Sequence, residues 1–105
     1  MRKKKRFDFS ELEEVAQKAT RDAFTKAKAE GKQWITQEQE DNLTLGMEHE
    51  GKDLEVSIFE LYISAQRPSD ALIVSRVKID SYTKELIGDV DIYLPPIPAS
   101  IVDSE

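Results

Sequence analysis

The hydrophobic pattern of this 105-residue chain changes period once, and that change limits the folds it can adopt. Before Gly31, apolar residues recur at helical spacing, whereas after it apolar and polar residues alternate as they do in strands. Glycine at this position is typical of a residue that ends a helix. A chain of this length has room for one domain with one core. The sequence therefore predicts a single helix followed by an antiparallel sheet.

The first segment predicts an amphipathic helix of about 20 residues. Ser10 and Glu13 have the spacing of a capping box, in which each side chain bonds a free backbone amide at the helix start. Lys26, Lys28 and Lys32 lie near its end, where the helix dipole favours positive charge. We expect one apolar stripe to pack on the sheet. It consists of Leu12, Val15, Ala16, Ala19, Ala23 and Ala27.

Alternating segments after the helix predict four strands, at residues 43–49, 54–63, 71–79 and 86–94. Trp34 and Ile35 precede them and form either a short strand or a plug over the helix end. In the second strand Ile58 and Phe59 are both apolar. Either a bulge resets the register near residue 58, or both faces of this strand are covered.

The predicted fold class is α+β, with one N-terminal helix packed on a curved four-stranded antiparallel meander sheet. Residues 1–8 are a basic N-terminal arm, and residues 9–94 form the domain. Residues 95–105 begin with three prolines in four positions, which predict an extended tail outside the sheet. The helix covers one face of the sheet, so the opposite face is predicted to be open.

Charge separates the arm from the body of the chain. The formal net charge is −6, but residues 7–105 hold 10 of the 15 basic and all 21 acidic residues, which gives them −11. An acidic body of this kind repels DNA and attracts basic partners. The arm is not followed by the apolar run of a signal peptide, and no segment has the length of a membrane span. We expect a cytoplasmic protein.

Composition and motifs exclude several kinds of chemistry. The chain has no cysteine, and its glycines form no phosphate-binding motif. His49 is the only histidine, and it lacks further ligands at metal-binding spacing. We therefore expect no catalytic set, no metal site and no cofactor.

The last hairpin resembles a motif found in small cystatin-like domains. Residues 74–80, VSRVKID, run into residues 81–86, SYTKEL, and Glu85 stands where glycine is usual. With the single N-terminal helix and Trp34, this hairpin is similar to the nuclear-transport-factor-like immunity proteins of bacterial polymorphic toxin systems. The resemblance implies a cystatin-like fold and a protein that inhibits a toxin.

The open sheet face is the candidate binding surface. If Val77 and Ile79 face the helix, the alternate residues of the third strand face away, and so does one side of the fourth strand. Such a surface could bind a partner or a second copy of the chain. A patch of acids between residues 38 and 55 adds negative charge. The predicted partner-binding residues are Leu72, Val74, Asp89, Asp91, Tyr93, Glu48, Glu50, Asp53 and Glu55.

These observations predict a non-enzymatic acidic protein that neutralises a basic protein, such as an immunity protein acting on its cognate toxin. A second hypothesis is a small ligand-binding domain or enzyme that uses a pocket between helix and sheet. A third is an adaptor that associates with RNA or a membrane through the basic arm, residues 2–6.

Overall fold

The structure, a computed structural model, describes residues 5–32, 35–67 and 70–98. Within these ranges, two helices and four strands follow one another. They are α1 (Phe9–Ala29), α2 (Gln37–Asp41), β1 (Thr44–Glu50), β2 (Val56–Ile63), β3 (Leu72–Asp80) and β4 (Asp91–Pro98). The strands form one antiparallel sheet in the order β1-β2-β3-β4, against which α1 packs. The predicted α+β meander is therefore confirmed. Trp34, the first four residues and residues 99–105 lie outside the described residues.

Helix α1 begins earlier than the capping pattern indicates. Asp8 is the N-cap, without a side-chain capping bond, and Ser10 lies inside the first turn. The predicted capping box is wrong because tertiary contacts set the helix start: the Phe7 amide donates to the Ser81 carbonyl (2.9 Å), and the Phe9 ring lies 5.8 Å from that of Phe59. A capping box that was not predicted occurs at α2, where the Thr36 side chain accepts from the Gln39 amide and the Gln39 side chain accepts from the Thr36 amide.

The end of α1 follows the prediction. Gly31 has a φ of +75°, which favours glycine. Its amide donates to the Lys28 carbonyl (3.0 Å), and the Lys32 amide donates to the Ala27 carbonyl (2.8 Å). These two bonds make the Schellman arrangement that ends many helices.

The buried stripe of α1 is rotated from the predicted one. Leu12, Ala16, Thr20 and Phe24 are buried, at a constant spacing of four. Ala19, Ala23 and Ala27 are only half-buried. Turning toward Phe24 buries an aromatic ring instead of methyl groups, and a ring contributes more apolar area to the core. Ile35 lies outside the strands and packs with Phe24 and Val74, so the short-strand alternative is wrong for this residue.

Strand register assigns alternate residues to the two faces of the sheet. Met47, Phe59 and Val77 lie side by side beneath α1, and Leu12 and Ala16 pack on this row. Val56, Ile58 and Glu60 lie on the opposite side of β2. Ile58 is 2% exposed, and the register at this residue is regular. Of the two alternatives for residue 58, coverage of both faces is therefore correct.

The irregularity occurs further along the sheet. Leu61 pairs with Ser75 and Tyr62 with Ile73, which leaves Val74 as an extra residue in β3. Such a bulge reverses which side chains face the helix beyond it. Val74 is fully buried with Phe24 on the helix side, so its predicted place on the open face is wrong.

Strand β4 is displaced toward the C-terminus from its predicted position at 86–94. Leu86 forms only an isolated bridge with Ile79, and the ladder resumes at Asp91. The ladder is interrupted after Ile92, which pairs with Ser75, and resumes where Ile97 pairs with Ile73 and Pro98 with Leu72. The prediction that prolines 95–98 stay outside the sheet is therefore wrong. An edge strand tolerates proline because the missing amide can face away from the neighbouring strand.

Candidate functional site

The open face is the side of the sheet turned away from α1. Its rows follow from the register: Glu50, Val56 and Asp80; Glu48, Ile58 and Lys78; Gly46, Glu60, Arg76 and Asp91; Thr44, Tyr62 and Ile73. Tyr93 joins this face because its hydroxyl is hydrogen-bonded to Arg76, which lies in the third row. The face thus carries five carboxylates against two cations.

A polar cluster occupies the β2–β4 part of the open face. The Arg76 Nε lies 3.6 Å from the Glu60 Oε2, and both side chains are mostly buried, at 16% and 15% exposure. Asp91 pairs with Arg76 across the next strand, so the guanidinium lies between two acidic positions. Water screens a pair this buried less than a surface pair, so Arg76 is held more firmly in place. We call Glu60, Arg76, Asp91 and Tyr93 the arginine cluster.

The negative charge of this cluster affects the pKa of Tyr93. Burial raises the pKa of its hydroxyl above the ordinary value, and the charges of Asp91 and Glu60 raise that pKa further. Arg76 opposes these effects through its charge and a hydrogen bond to Tyr93. The opposing effects of the acids and of Arg76 show that the Tyr93 hydroxyl lies among the charges of this cluster.

Apolar and aromatic groups fill the rest of the open face. Ile58 is buried and lies in the row between Glu48 and Lys78, its cross-strand partners. The Tyr62 ring lies over Gly46, where a Cβ would approach its Cε1 to 3.2 Å. The glycine therefore leaves space for the ring to lie against the sheet.

The predicted acids fall into two groups. Glu48 and Glu50 are exposed on the open face, and Glu50 Oε1 lies 3.8 Å from Lys78 Nζ. Asp53 and Glu55 instead belong to the turn before β2. The Glu55 carboxylate accepts from the Asp53 amide (2.9 Å), and the Tyr82 hydroxyl donates to the Asp53 carbonyl (3.0 Å). Glu55 therefore stabilises its own turn.

Three of the other predicted residues lie away from the open face. Val74 is buried under α1, as described above. Leu72 pairs with Ile63, which packs against the helix-side cluster, so the bulge moves Leu72 to that side as well. Asp89 precedes β4 and lines a groove beside the second half of α1. The expectation that Asp89 and Asp91 share a strand face is therefore wrong.

The basic arm and His49 lie at the opposite end of α1 from Gly31. Lys5 and Arg6 line a groove with Lys52, Asp53 and Tyr82. The arm joins the body at Phe7, whose ring lies 4.6 Å from Lys84 Nζ. His49 is exposed and lines a neighbouring groove with Met47 and Phe9. Within the described residues, no group of three or more histidine, cysteine or acidic side chains is placed to hold a metal ion.

Arg76 and Lys78 lie on the open face, as the alternation of the third strand predicts, whereas Glu60 was not among the predicted residues. The signal was present, because Glu60 has the same parity as Ile58 and lies opposite Arg76 once β2 and β3 pair. Glu60 was not assigned to a face because a bulge near residue 58 was one of the two alternatives for this strand. A regular register would have predicted the Glu60–Arg76 pair.

Comparison with protein families, with curated proteins and with solved structures finds no match for this chain. Neither helix of the described chain is long and apolar enough to cross a membrane.

Proposed function

We propose that this protein is a non-enzymatic binding protein that uses its open face to mask a basic protein surface. The observation that carries this proposal is the excess of carboxylates on the open face, five against two cations. A surface of one dominant sign speeds association with a partner of the opposite sign and repels wrong partners. Tyr62 and Tyr93 add the residue type that most often anchors protein interfaces.

The arginine cluster supports the proposal because it fixes the geometry of this surface. The Glu60 carboxylate lies 3.6 Å from the Arg76 Nε, and Asp91 is the strand partner of Arg76, so this part of the face has a fixed arrangement before a partner arrives. A surface that is already ordered loses less conformational entropy on binding. Basic groups of the partner would meet Asp91, Glu48 and Glu50, the exposed acids of this face.

The class of partner that we propose is a toxin domain with a basic groove for its substrate. The protein would then be an immunity protein of the kind that its last hairpin resembles, and it would inhibit by covering that groove. Inhibition of this kind is steric and electrostatic and needs no catalytic residue. A captured partner that is toxic when expressed alone, and harmless with this protein, would meet this expectation.

Asp91 and Asp89 offer a matched test, since both are exposed acids and lie two residues apart. Only Asp91 lies in the strand register of the open face. We expect Asp91→Lys to weaken partner binding strongly at low salt, with the difference shrinking as salt rises, and Asp89→Lys to have much less effect.

The measurement is capture of proteins from the native host on immobilised wild-type and variant protein, followed by elution in a salt gradient. One basic protein retained by wild type and Asp89→Lys, and lost by Asp91→Lys, supports the open face. Equal losses with both variants would mean that net charge alone governs binding. Retention by both would rule out the face around Asp91.

A further inference from the structure

The two edges of the sheet differ in their capacity to accept another strand. Strand β4 forms one edge and contains Pro95, Pro96 and Pro98, none of which has an amide to donate. Strand β1 forms the other edge and contains no proline. Among the described strands, only β2 pairs with β1, so the outer amides and carbonyls of β1 face no further strand.

Helix α1 also leaves space beneath β1. The helix packs against β2 and β3, and two grooves lie between it and β1. The lining of one groove includes the apolar Phe9, Leu12 and Met47 together with Lys5, Arg6 and His49 at its end. The other includes Phe24, Leu43 and Leu45. The apolar side chains of β1 on this side are only partly buried, and an added strand would cover them.

The opposite side of β1 has a different chemistry. Glu48 and Glu50 are exposed there, on the open face. Side chains alternate along a strand, so a segment that pairs with β1 presents one set toward the grooves and the other toward these acids. A second copy of β1 would bring its own glutamates to the same place, and like charges across a strand pair are unfavourable.

We infer that the β1 edge binds an extended segment of the basic partner in which apolar and basic side chains alternate. The apolar side chains enter the grooves beneath β1, and the basic ones lie over Glu48 and Glu50. Backbone hydrogen bonds to β1 provide the rest of the attachment, as in other cases of strand addition. This inference rests on the proposed function and adds the conformation of the segment that the partner contributes.

The test uses a seven-residue peptide in which lysine alternates with valine. The matched control is the same peptide with N-methyl groups on two adjacent central residues. Neighbouring residues of a strand point their amides to opposite edges, so one methyl group faces β1 in either strand direction. Affinity is measured at low salt, and backbone amide exchange is followed by NMR in the free and peptide-saturated protein.

We expect the unmodified peptide to bind at least about tenfold more tightly than the methylated one. Alternate amides of residues 44–50 should exchange more slowly in its presence, while the outer amides of β4 stay unchanged. Equal affinity of both peptides, with shifts around Asp91 and none in β1, would overturn the strand inference and leave the open-face proposal standing. If neither peptide bound, the inference would be overturned. The capture experiment with the Asp91 and Asp89 variants would then test the proposed function independently. Protection of β1 in a dimeric free protein would assign the edge to a second copy.

Discussion

A buried pair of hydroxyls offers a direct test of what holds the N-terminal segment, β2 and β3 together. Ser57 Oγ lies 2.7 Å from Ser81 Oγ, and neither residue is exposed to solvent. The Ser81 backbone makes two further bonds: its amide donates to the Glu55 carbonyl (2.8 Å), and its carbonyl accepts from the Phe7 amide (2.9 Å). Ser57→Ala removes one hydroxyl and leaves the other in an apolar setting.

The expected cost follows from desolvation. A buried hydroxyl that loses its hydrogen-bond partner costs about 1–3 kcal/mol, whereas removal of both partners is far less costly. We expect Ser57→Ala and Ser81→Ala each to lower the free energy of unfolding by that amount. The double variant should be more stable than the sum of the two losses implies, by about 1 kcal/mol or more. For a domain of this size, each 1 kcal/mol corresponds to roughly 4–8 °C in Tm.

The assay is urea denaturation followed by circular dichroism, with all three variants and wild type in one buffer. Ser10→Ala is the control, because Ser10 is exposed inside α1 and makes no capping bond. It should change the free energy of unfolding by no more than about 0.5 kcal/mol. Losses that simply add in the double variant would refute the reasoning, since the two hydroxyls would then not depend on each other.

Two further predictions concern the turn before β2 and the arginine cluster. In the same urea assay, Gly51→Ala should lower the free energy of unfolding more than Gly31→Ala. Both residues have positive φ (+94° and +75°), but only at Gly51 would a Cβ displace the Glu55 carboxyl from the Asp53 amide. Equal losses would contradict this reason. The raised pKa of Tyr93 means that its stabilising contribution is complete below the ordinary tyrosine pKa, about 10, and is lost as pH rises through the higher folded-state pKa. Asp91→Asn should lower the Tyr93 pKa in an ultraviolet titration of tyrosinate, and no change would mean that Asp91 does not act on this hydroxyl.

The order of elements could be predicted from the sequence because periodicity is a local signal. The helical spacing before Gly31 and the alternation after it follow from which side chains can reach one core. The rotation of α1 could not be predicted in this way, since Thr20 and Phe24 form a row only slightly offset from the alanines. The choice between the rows depends on the sheet beneath them.

The errors at the candidate site share a cause in the pairing of β3. The run Leu72, Ile73 and Val74 is apolar at every position, so alternation does not reveal the extra residue that the bulge inserts. A one-residue shift exchanges the faces, which moved Leu72 and Val74 to the helix side. The bounds of β4 were predicted wrongly because a strand tolerates proline only at the edge of a sheet. Whether a strand lies at an edge depends on the pairing of the whole sheet.

The open face and the β1 edge are parts of one surface, because the same acidic residues belong to both. Glu48 and Glu50 belong to both, because β1 is the outermost strand and its outward-facing acids continue the rows that contain Lys78 and Asp80. At the opposite edge, the prolines of β4 limit further pairing, while Asp91 and Tyr93 still face the same side. A basic segment paired with β1 would place its basic side chains over Glu48 and Glu50, beside the rest of the open face. Strand pairing would fix the position of such a partner, and the carboxylates would determine which proteins approach.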